Sequence, residues 1–279
     1  MKDVYNKSMF PIDLFPYKEV FSAIESRLLD VGSENISKDK IIANLNEYKN
    51  YTGRTLQDND YFRLLVFTAF YSGFRAQTVT EKKAIIEQHF PSLDVVSLYK
   101  DADVERIMSD PDMISHKGKI CSCIENAKKC VDLIQQWGSI KKFIDSFSPL
   151  DSLENLLLLK ETLEFYFQYL GGITAYHFLT DIGLPVLKPD RVICRLFSRL
   201  GLLEDPRQLL KTVLIGRKFA ENTALPIRYI DIVLVSYGQV KSDEFGIEKG
   251  ICLEVPRCDS CSIGLYCAYV QKDRAKNKS

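Results

Sequence analysis

The chain has 279 residues, of which 46% are apolar and 27% charged, with 37 Lys plus Arg against 37 Asp plus Glu. That length suits about two domains at ~100–200 residues each, and the composition excludes an intrinsically disordered chain. A net charge of zero excludes the global basic field of many nucleic-acid binders, so any basic footprint must be local.

The opening MKDVYNKSMFPIDLF lacks the apolar core and small-residue cleavage site of a signal peptide, and no apolar run reaches the ~18 residues of a membrane span. A cytoplasmic protein with reduced thiols is expected. Helical spacing then dominates. Thr78 and Glu81 have the spacing of a capping box, followed by Ile85 and Gln88 and stopped by Pro91. After His116, Ile120, Ile124, Ala127, Val131 and Ile134 recur at three- and four-residue steps up to Gly138. Residues 152–169 repeat the pattern with Leu153, Leu156, Leu157, Leu163 and Phe167, and run through Gly171-Gly172 into a further helix. Val192, Leu196 and Leu200 mark the inner face of another, and Leu225, Tyr229, Ile230, Val233 and Leu234 one that closes at Gly238. No run of β-branched residues alternates with polar ones. An all-α protein of about ten helices is predicted, ending in a frayed basic tail, KDRAKNKS.

Eight cysteines are present, and four fall in one short run as Cys252-x5-Cys258-x2-Cys261-x5-Cys267. In a reducing compartment such crowding points to metal ligands rather than disulfides. Three histidines, His89, His116 and His177, leave little room for a multi-histidine site. A tetrahedral zinc could use four thiolates, although zinc ribbons set two CxxC knuckles well apart. A single CxxC bracketed at equal distances suits a compact loop around a [4Fe–4S] cube. Both readings, cluster and zinc, stay open on spacing. Cys121, Cys123, Cys130 and Cys194 sit in helical segments and read as small buried apolar residues.

The pattern YG … C-x5-C-x-S-C-x5-C-x-Y, with PRCDSC at its centre, resembles the C-terminal iron–sulfur loop of endonuclease III and the helix-hairpin-helix DNA glycosylases. That family usually has six residues where this chain has five between Cys252 and Cys258. The resemblance implies a [4Fe–4S] cluster on Cys252, Cys258, Cys261 and Cys267. Leu170-Gly171-Gly172-Ile173-Thr174 can be a plain turn between packed helices. In the resembling family such a turn brings backbone N–H groups against a DNA phosphate, making Gly171, Gly172 and Thr174 candidate DNA contacts. Asp190 taken alone is a helix N-cap. Its register, PDRVICRLFSRLG, also matches the glycosylase pattern through Asp190, Arg195, Arg199, Leu200 and Gly201. The resemblance then implies a catalytic Asp190 in the cleft, stabilising an oxocarbenium-like sugar or activating water. The position of the lyase amine in that family falls on Tyr176, and no lysine lies between Lys160 and Lys188. A monofunctional enzyme is implied.

The stretch DADVERIMSDPDMISHKGKICSCIENAKKC and the earlier FTAFYSGF are similar to 3-methyladenine DNA glycosylase I. Lys117 and Lys119 are candidate DNA contacts there, or else a solvated helix start. A pocket glutamate of that branch falls at about Thr68, and its zinc-binding residues are not evident. Tyr48, Tyr51, Tyr61, Phe70, Trp137 and Tyr176 are candidates to hold a flipped base by stacking, although each reads more readily as core. The two resemblances together imply an all-α, two-domain helix-hairpin-helix DNA glycosylase fold with a C-terminal [4Fe–4S] loop. Residues 61–188 would form a six-helix barrel ending in the hairpin, and 1–60 with 189–279 a cluster domain. The implied activity is excision of a damaged base, an alkylated purine such as 3-methyladenine, from double-stranded DNA by a monomer at the nucleoid. The alternative is a non-catalytic DNA-binding or damage-sensing module that keeps the hairpin and the metal loop.

Overall fold

The computed structural model describes residues 12–51, 53 and 55–271; the basic tail 272–279 lies outside them. No strand occurs among the described residues, apart from one isolated antiparallel bridge between Ser242 and Ile247. Fourteen α-helices do. They are α1 (Tyr17–Gly32), α2 (Lys38–Lys49), α3 (Asp58–Tyr71), α4 (Ala76–Glu81), α5 (Lys83–His89), α6 (Leu93–Val96) and α7 (Asp101–Met108). After these come α8 (Lys117–Trp137), α9 (Ile140–Asp145), α10 (Leu153–Tyr166), α11 (Ile173–Asp181), α12 (Arg191–Leu200), α13 (Leu209–Thr223) and α14 (Ile227–Gly238). The excess over ten comes from α4 to α7 and α9, each only four to eight residues long. Such pieces are too short to show a clear 3.6-residue period. No described helix is long and apolar enough to cross a membrane.

The long helices obey the local rules read from the sequence. At the start of α8 the His116 Nδ1 accepts the Lys119 N–H at 3.2 Å, and the helix stops at Gly138. The buried stripe between them runs through Ile120, Cys123, Ile124, Ala127, Cys130 and Leu133. Two of its members are cysteines, whereas the expected Val131 and Ile134 are only half-buried. One expectation is corrected. Thr78 caps nothing, because α4 has already begun at Ala76 from an extended Arg75, and Glu81 accepts a hydrogen bond from Gln77 at 2.8 Å. The chain then breaks at Lys82, from which α5 starts anew.

The chain divides into two compact units, Met1–Thr52 with Val186–Ser279, and Gly53–Pro185. The expected boundary at residue 61 falls inside α3. In the Gly53–Pro185 unit, α8 packs on α3, α6, α7 and α9, while α3 also meets α11 and α10 meets α11. In the other unit α14 is central and packs on α1, α2, α12 and α13. Tyr229, Ile230, Val233, Leu234 and Tyr237 of α14 are fully buried. Its last residue, Gly238, has no room for a side chain, since a Cβ there would lie 2.6 Å from Val192 Cγ1 on α12. In the same unit, the rings of Phe197 and Phe219 stack with centroids 5.6 Å apart, and Tyr17 meets Phe219 edge-on at 4.9 Å. Phe197→Ala should therefore cost about 3–5 kcal/mol of unfolding free energy, read from the midpoint of urea denaturation.

Candidate functional site

The four C-terminal cysteines lie in a loop with little regular structure, two single 3-10 turns at Cys258–Ser260 and Gly264–Tyr266. Loop carbonyls need donors from elsewhere, and arginines provide them. Arg199, near the end of α12, donates through Nη1 to Leu253 O at 2.5 Å and Cys252 O at 3.3 Å, and through Nη2 to Glu254 O at 2.7 Å. One turn earlier Arg195 donates to Gly238 O at 2.6 Å and Cys252 O at 3.3 Å. Arg27 of α1 donates to Ser260 O at 2.9 Å. The arginines at the matched pattern positions thus serve the cysteine loop. Tyr237, the tyrosine of the YG motif, donates its hydroxyl to Cys261 Sγ at 3.3 Å and accepts the Ser262 N–H at 3.1 Å.

Cys252, Cys258, Cys261 and Cys267 all line one small cavity, walled by Leu196, Leu200, Ile251 and Ile263. Burial pushes the thiols of Cys252, Cys258 and Cys267 up, and Arg199 pulls Cys252 and Cys258 back toward the thiolate. Its Nη1 stands 3.2 Å from Cys252 Sγ. Dry walls, four sulfurs on one cavity and a neighbouring cation are what a thiolate-bound group requires. Among the described residues, no three Cys, His, Asp or Glu side chains gather closely enough for a single ion. The other cysteines behave as small apolar groups: Cys123, Cys130 and Cys194 are buried, Cys121 is half-buried, and burial pushes Cys123 up to about 12.

Asp190 is the N-cap of α12. Its Oδ1 accepts the Val192 and Ile193 N–H groups at 2.9 and 3.0 Å, and no hydrogen bond to Oδ2 is present among the described residues. Close by is a residue to which the sequence reading gave no weight, Asp231, 5% exposed on α14. Its Oδ2 pairs with Arg228 Nη1 at 2.7 Å and its Oδ1 accepts the Lys188 N–H at 3.3 Å. Burial pushes it up to about 6, helped by the charge of Asp190 and opposed by Arg228 and Lys188. The signal available in the sequence was an aspartate inside the otherwise apolar run YIDIVLVSYG.

The glycine turn lies in the other unit, where Asn126 of α8 clamps it by exchanging hydrogen bonds with Gln168 at 2.9 and 3.0 Å. Gly172 has φ 58° and ψ −120°, a conformation open to glycine. Neither of the two amides is unpartnered. Gly171 N–H donates to Thr174 Oγ1 at 2.9 Å and Gly172 N–H to Glu164 Oε1 at 2.6 Å, with Glu164 also paired to Lys160 at 2.7 Å. Lys117 is exposed, but Lys119 is 3% exposed and donates to the carbonyls of Ala69 and Ser72. It caps the C-terminal end of α3, and desolvation lowers its pKa. Its ammonium also lies over the rings of Phe74 and Tyr169, so the expectation of a surface contact at Lys119 is corrected.

The candidate pocket aromatics are not gathered into one ring cluster. Tyr48 and Tyr51 belong to the Met1–Thr52 segment, Tyr48 with Arg228 over its ring at 5.7 Å. In the Gly53–Pro185 unit, Phe70 packs on Phe90 and Trp137 on Phe143, while Tyr61 is buried. Tyr176, also buried, has the Lys160 ammonium 5.1 Å above its ring. Thr68, at the position of the expected pocket acid, is buried with its hydroxyl unpaired.

The loop geometry leads to a direct test. In Arg199→Met the carbonyls of 252–254 lose a charged donor, which should weaken the loop by about 2–3 kcal/mol. Hydrogen exchange should speed up at residues 252–267 before it does in α14, with only partial recovery in Arg199→Lys, whose ammonium lacks the planar fork.

Residues 43–166 match the methyladenine glycosylase family. Among solved structures, the chain is similar to 3-methyladenine DNA glycosylase I from Staphylococcus aureus, with 24% identity and a TM-score of 0.41 over 48% of this chain and 81% of that one. It is also similar to the 8-oxoguanine DNA glycosylase of Thermotoga maritima, with 20% identity and a TM-score of 0.49 over 78% of this chain and 95% of that one. For the 8-oxoguanine glycosylase/lyase of Methanocaldococcus jannaschii, crystallised with a DNA 15-mer containing 8-oxoguanine, the values are 18% and 0.48 over the same shares. The chain thus resembles the methyladenine glycosylases over residues 43–166.

Proposed function

We propose that this chain is a monofunctional DNA glycosylase that excises a damaged base, with alkylated purines such as 3-methyladenine as the best substrate class. The observation that carries this is the methyladenine glycosylase match over residues 43–166. An alkylated purine is already a good leaving group, so a modest site suffices for it. The target nucleotide leaves the DNA stack, and Asp190 works on the sugar through Oδ2 while Oδ1 keeps capping α12. The carboxylate stabilises positive charge developing on the sugar and orients the attacking water, leaving an abasic site. By the resemblance Tyr176 falls at the position of the lyase amine, and the ammonium above its ring belongs to a Lys160 paired with Glu164. That supports hydrolysis without strand cleavage.

In this reading the two units are a helical barrel with the hairpin and a domain built on the cysteine loop, whose four thiolates hold a [4Fe–4S] cluster. Held by those thiolates, such a cluster would serve as a structural cross-link of the loop. Support for it over zinc comes from the spacing of four cysteines about a single CxxC, all lining one cavity. A lone zinc, about 2.3 Å from each sulfur, would draw the four thiols within about 4 Å of one another. Double-stranded DNA is the partner. Phosphate reaches Gly172 N–H by displacing the Glu164 carboxylate, and Lys117 adds a local charge.

The enzymatic reading is tested with duplexes carrying 3-methyladenine, 7-methylguanine, hypoxanthine, uracil, 8-oxoguanine or a bulky modified base, followed by heating in alkali. Alkali-labile breaks are expected with a methylated purine. Asp190→Asn, which still caps the helix, should lose about a hundredfold or more in rate. Unchanged activity in that variant would refute the assigned role, and no product from any duplex would favour the binding module. The purified protein should be brown, with broad visible absorption and about four irons per chain, and Cys258→Ala should bleach it. Glu164→Gln should tighten binding to an undamaged duplex by about two- to fivefold at 0.1 M salt, with the gain shrinking as salt rises.

A further inference from the structure

Asp231 needs an explanation that packing alone does not supply. A carboxylate buried in an apolar helix pays heavily in lost hydration, and a hydrophobic residue would serve the core of α14 better. Both of its oxygens are engaged. Oδ2 pairs with Arg228, itself held 5.7 Å from the ring of Tyr48, and Oδ1 takes the N–H of Lys188. The Lys188 carbonyl in turn accepts the Asp190 N–H at 2.9 Å, across a buried Pro189 that has no N–H to offer. A continuous chain of contacts thus runs from Arg228 through Asp231 and Lys188 to Asp190.

We infer that Asp231 is a positioning residue for Asp190, bracing the 188–190 turn and setting the electrostatic environment of the reacting carboxylate. This rests on the glycosylase reading above. The charged groups that act on Asp231 are Arg228 from its own helix and Asp190 and Lys188 from the segment entering α12. From the other helices packed on α14, α2 presents Tyr48 behind Arg228, and α1 and α2 direct Glu25 and Lys49 to Tyr229. Burial raises Asp231 to about 6, so its charge is gained as the pH rises through that value. The ionised form is the one that holds Arg228 and competes with Asp190 for positive potential.

Asparagine at 231 keeps an acceptor for the Lys188 N–H and removes the charge, which separates bracing from electrostatics. The full-length protein is assayed by single-turnover base release from a duplex methylated with dimethyl sulfate, alongside carboxyl-carbon NMR titration of Asp190. In the wild-type chain the rate should rise through pH about 6, and the Asp190 Cγ resonance should respond to the same ionisation. In Asp231→Asn both features should vanish, the neutral-pH rate falling about ten- to a hundredfold while affinity for unmethylated duplex stays constant. Arg228→Gln leaves Asp231 in place without its cation and should move the inflection to higher pH, which keeps the idea testable if Asp231→Asn fails to fold. Loss of the NMR response to Asp231 in the wild type, or an unchanged rate and pH profile in the variants, would overturn the inference. A wild-type chain that releases no base yet keeps the NMR response would overturn the glycosylase reading and leave the pairing standing.

Discussion

Helix α12 is the constraint on which the rest of its unit depends. Within ten residues it carries an N-terminus capped by Asp190, the guanidinium of Arg195 in its middle and that of Arg199 near its end. The cysteine loop has only two single 3-10 turns of regular structure, so the carbonyls of 252–254 take their donors from elsewhere. Arg195 and Arg199 are such donors, and they are rigid because Ile193, Leu196, Phe197 and Leu200 of the same helix are buried in the core. The position of Asp190 and the shape of the loop are therefore consequences of one packing arrangement. Gly238 belongs to it as well, since only a residue without a side chain lets α14 end against Val192.

The unit with the hairpin follows a different logic, in which polar groups are satisfied internally. Asn126 holds the turn, Glu164 covers the Gly172 amide, and Lys119 neutralises the open carbonyls at the end of α3. A buried ammonium with carbonyl partners and two aromatic faces needs no carboxylate to be stable. The same economy explains how a chain of zero net charge can be proposed to grip a polyanion. In that proposal a backbone amide and Lys117 would make the contact, with phosphate displacing the Glu164 carboxylate that holds the Gly172 amide.

Much of this was legible in the sequence. The α8 stripe, its end at Gly138, the turn at Gly171-Gly172 and the cap at Asp190 all follow from local chemistry: the spacing of apolar residues, a glycine that can take unusual dihedrals, and a carboxylate that can accept two N–H groups. The Thr78 capping box was misread because a capping pattern specifies that a helix can start, not that it starts there, and Arg75 opened α4 first. The aromatic candidates were indistinguishable from core residues, because a ring suited to stacking on a base is equally suited to packing on another ring. Lys119 read as a surface charge because sequence does not reveal which helix end its ammonium will meet.

By itself, then, the sequence determined the helical class, the long helices, the equal spacing of four cysteines about one CxxC, and an aspartate at a helix start, since each depends on residues close together in the chain. Only the tertiary structure decided that Arg27, Arg195, Arg199 and Tyr237 hold the cysteine loop, that Lys119 caps α3, and that Asp231 stands behind Asp190. Those contacts join residues 24 to 233 positions apart in the chain. They form because apolar burial brings distant helices together, and the charges carried along must then find partners in a dry interior.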